Sequence, residues 1–233
     1  NKISIDIIRN SYLFKKIIED NNYSLFKNYI NENTNLEDYY INYYFNYALN
    51  RNYHNICNYI LKLNKNINIT LNLELKFEEA CINLDYNLID LVISIDKNKN
   101  WPLTCIINNY FEIFKYIFYY KKKIKINQNF LFMNSCFSGN LLMAKWMYNN
   151  FDNIDHTLIN TDNFILVLRN FNINMLDWFY SLNNNIDLNF DNGYVLKLFC
   201  TLDKFHLSEW VLKKNVIDPT IDNFICYKYC CYN

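Results

Sequence analysis

The sequence predicts an all-α solenoid of helix–turn–helix repeats joined by short or irregular hairpin fingers, and three observations carry that expectation. The 233 residues include only two Gly (Gly139, Gly193) and two Pro (Pro102, Pro219), too few breakers for a β-sandwich or for an enzyme built of shaped loops. Apolar residues make up 52% of the chain, with 21 Tyr and 18 Phe, which is ample material for a core and unlike a disordered composition. One pattern also recurs along the chain: an aromatic or Leu anchor at Tyr29, Tyr59, Leu91, Tyr116, Trp146, Trp178 and Trp210, in steps of 30, 32, 25, 30, 32 and 32 residues.

These anchors define seven repeats, at approximately 11–35, 40–66, 74–97, 101–123, 129–152, 162–184 and 193–215, and a partial closing repeat at 222–233, all in one repeat domain spanning 1–233. Numbered from the anchor, position −3 holds Phe26, Ile56, Leu88, Ile113, Met143, Met175 and Leu207, and position +1 holds Ile30, Ile60, Val92, Ile117, Met147, Phe179 and Val211. Position −1 is polar in all seven. Apolar residues at −3, 0 and +1 follow the 3.6-residue period, so each anchor sits on an amphipathic helix.

A first helix precedes it in each repeat. Its inward positions are Phe45, Phe77, Phe132, Phe164 and Leu196 at −14, and Leu49, Cys81, Ile106, Cys136, Leu168 and Cys200 at −10. Between the two helices, at −7, stand Asn22, Asn52, Asn109, Gly139 and Asp203, residues that tolerate the left-handed conformation of a tight helix C-cap. Beyond the second helix comes an alternation of Ile, Asn and Asp, as in Ile186 to Gly193, which reads as an extended excursion ending in a turn. The short step from Leu91 to Tyr116 leaves room only for a tight loop before Trp101-Pro102, with Pro near the start of the next helix. Lys15 and Glu19, in place of apolar residues, fit a polar cap on the first repeat.

Composition narrows the function. The 23 basic and 23 acidic residues cancel, which speaks against a polyanion binder, and no nucleic acid is expected as a partner. The eight Cys are widely spaced and lack a C-x-x-C pair or a His doublet, so reduced, packed thiols in an intracellular compartment are the reading, with no metal and no cofactor. Cys226, Cys230 and Cys231 belong to the closing repeat, where an i, i+4 pair of thiols alone makes no metal site. No apolar run reaches the roughly 18 residues that span a bilayer, so no membrane partner is expected. The chain begins at Asn1 and not at Met, so no targeting signal is read from it. The 44 Asn, interleaved with apolar residues, read as A/T-rich codon usage acting on tolerant positions.

Catalysis finds no constellation. His54, His156 and His206 fall at different places in their repeats, and no phosphate-binding glycine motif exists, so neither an enzyme nor a small-molecule substrate is expected. Lys121-Lys122-Lys123 with Lys125 is the one basic cluster; a solvated helix end and a contact to phosphate or an acidic partner both suit it.

The stretch Ser135-Cys136-Phe137-Ser138-Gly139-Asn140-Leu141-Leu142-Met143-Ala144-Lys145-Trp146 resembles the ankyrin repeat, which runs small-small-x-x-Gly-His-Leu-x-x-Val-Lys. Trp101-Pro102-Leu103 is similar to its Thr-Pro-Leu opening, and Asn185 to Leu196 to its finger and the following start. The likeness is degenerate, since Thr-Pro-Leu-His is nowhere intact. The Lys-Trp and Lys-Tyr endings on an Asn-, Ile-, Lys- and Tyr-rich background resemble ankyrin-repeat proteins of giant DNA viruses of amoebae. The resemblance implies a non-enzymatic scaffold that binds a host or viral protein in the host cytoplasm or nucleus. It implies a concave face formed by positions −12 and −8 of each repeat: Tyr47, Arg51, Glu79, Asn83, Thr104, Asn108, Asn134, Ser138 and Asn170. The alternative is a structural component of a virion or another assembly. If the anchor column packs in the core, Trp146→Ala should cost about 3–5 kcal/mol in chemical denaturation; a near-neutral value would overturn the repeat register.

Overall fold

The computed structural model describes residues 12–32, 38–63, 67–120 and 127–214. The chain divides into two compact units, Asn1–Lys99 and Asn100–Asn233. The division falls at the connection that the shortened repeat step predicts to be tight. The first unit contains α1 (12–19), α2 (Tyr23–Glu32), α3 (Asp38–Asn50), α4 (His54–Leu63), α5 (Leu73–Ile82) and α6 (Tyr86–Ile95). The second contains α7 (Trp101–Ile107), α8 (Phe111–Tyr120), α9 (Gln128–Phe137), α10 (Leu141–Asn150), a 3₁₀ turn (His156–Leu158), α11 (Thr161–Leu168), α12 (Ile173–Leu182), α13 (Phe190–Thr201) and α14 (Phe205–Lys213). Every predicted second helix contains its anchor, and every predicted first helix precedes it.

Consecutive helices pack as pairs, and pairs pack on their neighbours. In the first unit α2 lies against α4 and α4 against α6; in the second α7 lies against α9 and α9 against α11. The architecture is therefore a helical repeat in each unit. Position −3 is buried in all seven repeats, and +1 in all but the first, where Ile30 is half-buried. These two columns are one helical turn apart, and each such side chain contributes about 1.5–3 kcal/mol by leaving water. Positions −14 and −10 of the first helices are buried from the second repeat on, Cys81, Cys136 and Cys200 included, whereas Lys15 and Glu19 of the first repeat are exposed there.

The anchor column lies shallower than the sequence suggests. Tyr59, Tyr116, Trp146 and Trp178 are half-buried, because the anchor is turned about 100° from +1 on the helix, toward the preceding repeat. Four of the anchor rings close a seam there. Trp146 meets Phe118 and Phe114 at 5.2 and 5.8 Å between centroids, Trp178 meets Tyr148 at 6.0 Å, Trp210 meets Tyr180 at 6.1 Å, and Tyr59 meets Phe26 at 6.0 Å. Such ring pairs add about 0.5–1.5 kcal/mol each beyond area burial.

A left-handed residue sits between the two helices of every repeat: Asn21, Asn52, Leu84, Asn109, Gly139, Phe171 and Asp203, with φ of 48, 60, 52, 58, 76, 53 and 56°. In the first repeat this is Asn21 and not Asn22. Asn22 instead caps α2, its Oδ1 accepting the Leu25 N–H at 3.1 Å. In all repeats but the one with Phe171, where Asn172 donates instead to Asn170 Oδ1, the residue after the left-handed one donates its N–H five residues back, as Tyr53 does to Ala48 O (2.9 Å), Tyr110 to Cys105 O (2.8 Å) and Lys204 to Phe199 O (2.8 Å). That closure satisfies carbonyls the ending helix leaves open. Gly139 has a second reason to lack a side chain: a Cβ there would approach Asn170 Cγ to 3.2 Å.

The hairpin fingers are not observed. Among the described residues no strand forms, and the connections are turns and bends. A side chain at position −17, on the first helix, takes the place of strand pairing. Asn42 Oδ1 accepts from Asn68 N–H, Asn129 Oδ1 from Asp155 N–H and Thr161 Oγ1 from Asp187 N–H, each at 2.9 Å and each 26 residues apart. Near Gly193 the predicted turn is present and wider than expected, since Asp191, Asn192 and Gly193 are all left-handed at φ 49, 53 and 78°. Asn100 caps α7 with Pro102 in its first turn, as the tight loop requires.

Leu84 is 52% exposed and holds a backbone conformation that a Cβ-bearing, non-amide residue adopts at a cost. Leu84→Asn, the residue three other repeats use there, should stabilise the chain by about 0.5–1 kcal/mol in urea denaturation.

Candidate functional site

The nine face residues separate by column. At −12, Tyr47, Glu79, Thr104 and Asn134 are all half-buried. At −8, Arg51, Asn83, Asn108 and Ser138 are all exposed, and Asn170 alone is half-buried. Tyr47, Arg51, Glu79 and Asn83 belong to the first unit and the other five to the second.

Their side chains are differently committed. The Arg51 guanidinium lies 5.6 Å from the centre of the Tyr47 ring. Asn134 Nδ2 donates to Phe130 O (2.7 Å) and Asn108 Nδ2 to Thr104 O (3.2 Å), while Ser138 Oγ donates to Asn134 O (2.8 Å), so these polar groups are satisfied within their own helices. Asn170 is a joint between repeats: its Nδ2 donates to Cys136 O at 2.9 Å and its Oδ1 accepts from Asn172 N–H at 2.8 Å. Glu79 is a joint as well. It accepts from Lys76 Nζ at 2.8 Å and from Asn52 Nδ2 at 2.9 Å, and the Lys76 bond, then the Asn52 bond, holds its carboxyl below the ordinary range. Lys76 is 8% exposed and also donates to Asn50 O (3.0 Å) and Asn52 Oδ1 (3.3 Å), so its charge is paired and hydrogen-bonded, as a buried charge must be.

In the first unit Tyr47 borders a surface groove of about 410 Å³, lined by Asn42, Tyr43, Asn46, Asn50 and Tyr47 of α3 and by Asn68, Thr70 and Leu71 of the following connection. Asn42, Asn46 and Asn50 stand at i, i+4 and i+8, hence on one side of the helix. Two of the three hold the connection. Asn46 Nδ2 donates to Asn68 O (2.9 Å) and its Oδ1 accepts from Thr70 N–H (2.9 Å), beside the Asn42 to Asn68 bond.

Titratable groups sit in local, separate settings. His54 Nε2 lies 3.3 Å from Asp85 Oδ2, and His156 Nδ1 lies 3.5 Å from Tyr148 Oη. His206 is exposed. Cys57 and Cys136 are fully buried, and burial pushes the Cys57 thiol up to about 12 and raises the Cys136 thiol as well, the setting of packed thiols. Among the described residues the five cysteines are buried and form no disulfide, and no group of three or more His, Cys, Asp and Glu could hold a metal ion. No helix among them is long and apolar enough to cross a membrane. The Lys121–Lys125 cluster and Cys226, Cys230 and Cys231 lie outside the described residues.

Compared with known proteins, the chain matches no family model, and neither a curated protein nor a solved structure is significantly similar to it. The α3 amide row escaped the repeat alignment because it follows a four-residue spacing within one helix, and the columns compare different helices. Its legible signal was Asn at 42, 46 and 50 together with the −17 register.

One charged joint is open to a pH test. Asp177 Oδ1 accepts from Trp210 Nε1 (2.8 Å) and Lys214 Nζ (2.6 Å), and Lys214 also lies over the Trp210 and Tyr180 rings at 5.2 and 5.3 Å. The Lys214 bond, then the Trp210 bond, lowers the Asp177 carboxyl. A depressed carboxyl stabilises the fold above its ordinary value of about 4 and loses that effect as pH falls below it. Asp177→Asn should therefore melt below the parent at pH 7, and the gap should close as pH drops from about 4.5 toward 3.

Proposed function

We propose that the chain is a non-enzymatic scaffold of ankyrin type that binds another protein through the outward face of its first helices. The observation that supports this reading best is the uniformity of the two face columns. The −8 residues Arg51, Asn83, Asn108 and Ser138 are exposed in four repeats, and the −12 residues Tyr47, Glu79, Thr104 and Asn134 are half-buried in the same four. Columns −3, +1, −10 and −14 carry the packing. That division leaves, in each unit, polar or aromatic groups whose replacement need not disturb the core, as a recognition surface on a repeat scaffold requires. The sequence resemblance to viral ankyrin repeats directs the search for a partner to amoebal and viral proteins, and the buried free thiols suit a reducing compartment.

Two of the nine face residues are better left untouched in a test, because Glu79 and Asn170 join repeats. The full chain and a variant carrying Tyr47→Ala, Arg51→Ala, Asn108→Ala and Ser138→Ala would be immobilised and exposed to amoebal lysate. Retained proteins would be quantified by mass spectrometry. A partner held by the parent should fall about tenfold or more on the variant, since Tyr and Arg commonly dominate such interfaces. Equal retention on both would overturn the assignment of this face.

A further inference from the structure

We propose that the α3 groove of the first unit binds an extended polypeptide segment bearing a carboxylate, with Asn50 reading its backbone and Arg51 its charge. This deepens the scaffold reading above and rests on it. The protein already shows that this helix side reads backbone. Asn42 and Asn46, one helical turn apart, bond the peptide groups of alternate residues Asn68 and Thr70 of the chain's own connection. The match is metric, since four helical residues rise about 6 Å and two extended residues about 6.6 Å.

Asn50 is the third rung of this row, and it has no segment to hold. After Leu71 the chain turns away, because Asn72 caps α5 by accepting from Glu74 N–H (2.9 Å) and Leu75 N–H (3.3 Å). The Asn50 side chain is exposed, lines the groove and makes no hydrogen bond of its own among the described residues, and Lys76 Nζ donates to the backbone carbonyl and not to the amide. An amide that can donate and accept at once suits a peptide group from a second chain.

Charge complementarity selects the kind of segment. Arg51 is exposed, stacks on Tyr47 at the edge of the groove and has no acidic partner among the described residues. The other charges near the end of α3, Lys76 and Glu79, cancel each other at 2.8 Å. The groove end therefore carries one uncompensated guanidinium, whose planar fork fits a carboxylate. An acidic side chain and a C-terminal carboxylate share that chemistry. The exposed Tyr43 and the half-buried Tyr47 supply flat apolar surface on which the segment's side chains can rest.

The test uses the full chain and a bead-bound synthetic library of random decapeptides. Selected sequences would be resynthesised as free acids and as C-terminal amides, and titrated by fluorescence anisotropy against the parent, Asn50→Ala and Arg51→Glu, with circular dichroism confirming that the variants fold. The groove predicts selection for an acidic group at one position. It predicts about tenfold or greater weakening by Arg51→Glu, with selection by that variant shifting to basic residues. Asn50→Ala should weaken binding about two- to tenfold, and N-methylation of one backbone nitrogen should do the same while its neighbours tolerate it. Loss of affinity on C-terminal amidation would assign the terminal carboxylate; retention would assign a side chain. Selected peptides that bind equally to all three proteins would overturn the groove and leave the scaffold reading standing. A library that yields no binder would overturn the groove, and joined to an empty lysate capture it would overturn both.

Discussion

A pair of ten-residue helices cannot bury its own apolar residues, and every other feature of this protein follows from that constraint. Positions −3 and +1 of each second helix, and −14 and −10 of each first helix after the first, are apolar because a neighbouring pair covers them. The pairs must then keep a common register, so the turn between helices has one geometry throughout. That requirement outranks local preference. Leu84 and Phe171 adopt the left-handed conformation that Asn, Asp and Gly take more readily in the other repeats. Residues so placed cost of order 1 kcal/mol, an amount the burial of a single core side chain exceeds.

The same constraint gives the many asparagines a physical role. With two glycines in the whole chain, Asn supplies left-handed turns at positions 21, 52 and 109. It caps helices at Asn72, Asn100, Asn127, Asn160 and Asn172, where the side chain accepts backbone N–H groups. Its amide also reaches from one repeat to the next, as Asn172 does to Gly139 O (3.1 Å) and Asn170 to Cys136 O (2.9 Å). A side chain that both donates and accepts can fill all three positions, so codon bias and structural demand point the same way.

Helix positions and core columns were legible because burial is periodic and periodicity survives in sequence. Phe26, Ile56, Leu88, Ile113, Met143, Met175 and Leu207 share no identity, yet each is apolar and each is buried. Depth within the stripe was not legible. Trp146 and Trp178 look like the heart of the repeat by size, whereas their rings close the seam to the previous one, because a wide aromatic at the flank of a helix reaches where an aliphatic residue cannot. Pairwise chemistry was hidden for a different reason. Lys76, Glu79 and Asn52 come together from two repeats, and nothing in the spacing of a lysine and a glutamate distinguishes a buried joint from a solvated helix face. Asn170 stands in a face column, yet its Nδ2 reaches the neighbouring repeat at Cys136 O while its Oδ1 holds Asn172 N–H within its own turn. A column alignment averages over repeats, so it cannot see a residue that departs from its column.

What sets the first helices apart is that their outward columns take little part in holding the stack. Polar groups there are mostly satisfied within one helix, as in Asn134 to Phe130 O, so the surface is already paired and costs little to expose. On α3 the arrangement goes a step further, because Asn42 and Asn46 bond backbone outside their own helix, in the connection that follows. The row thus meets in cis the demand that a bound strand would make in trans: peptide groups presented at a spacing close to the helical turn. Asn50 continues that row at the point where the chain's own segment leaves it, beside the one guanidinium of the groove edge. An interaction that first serves to hold a connection in register needs only one more rung to become recognition.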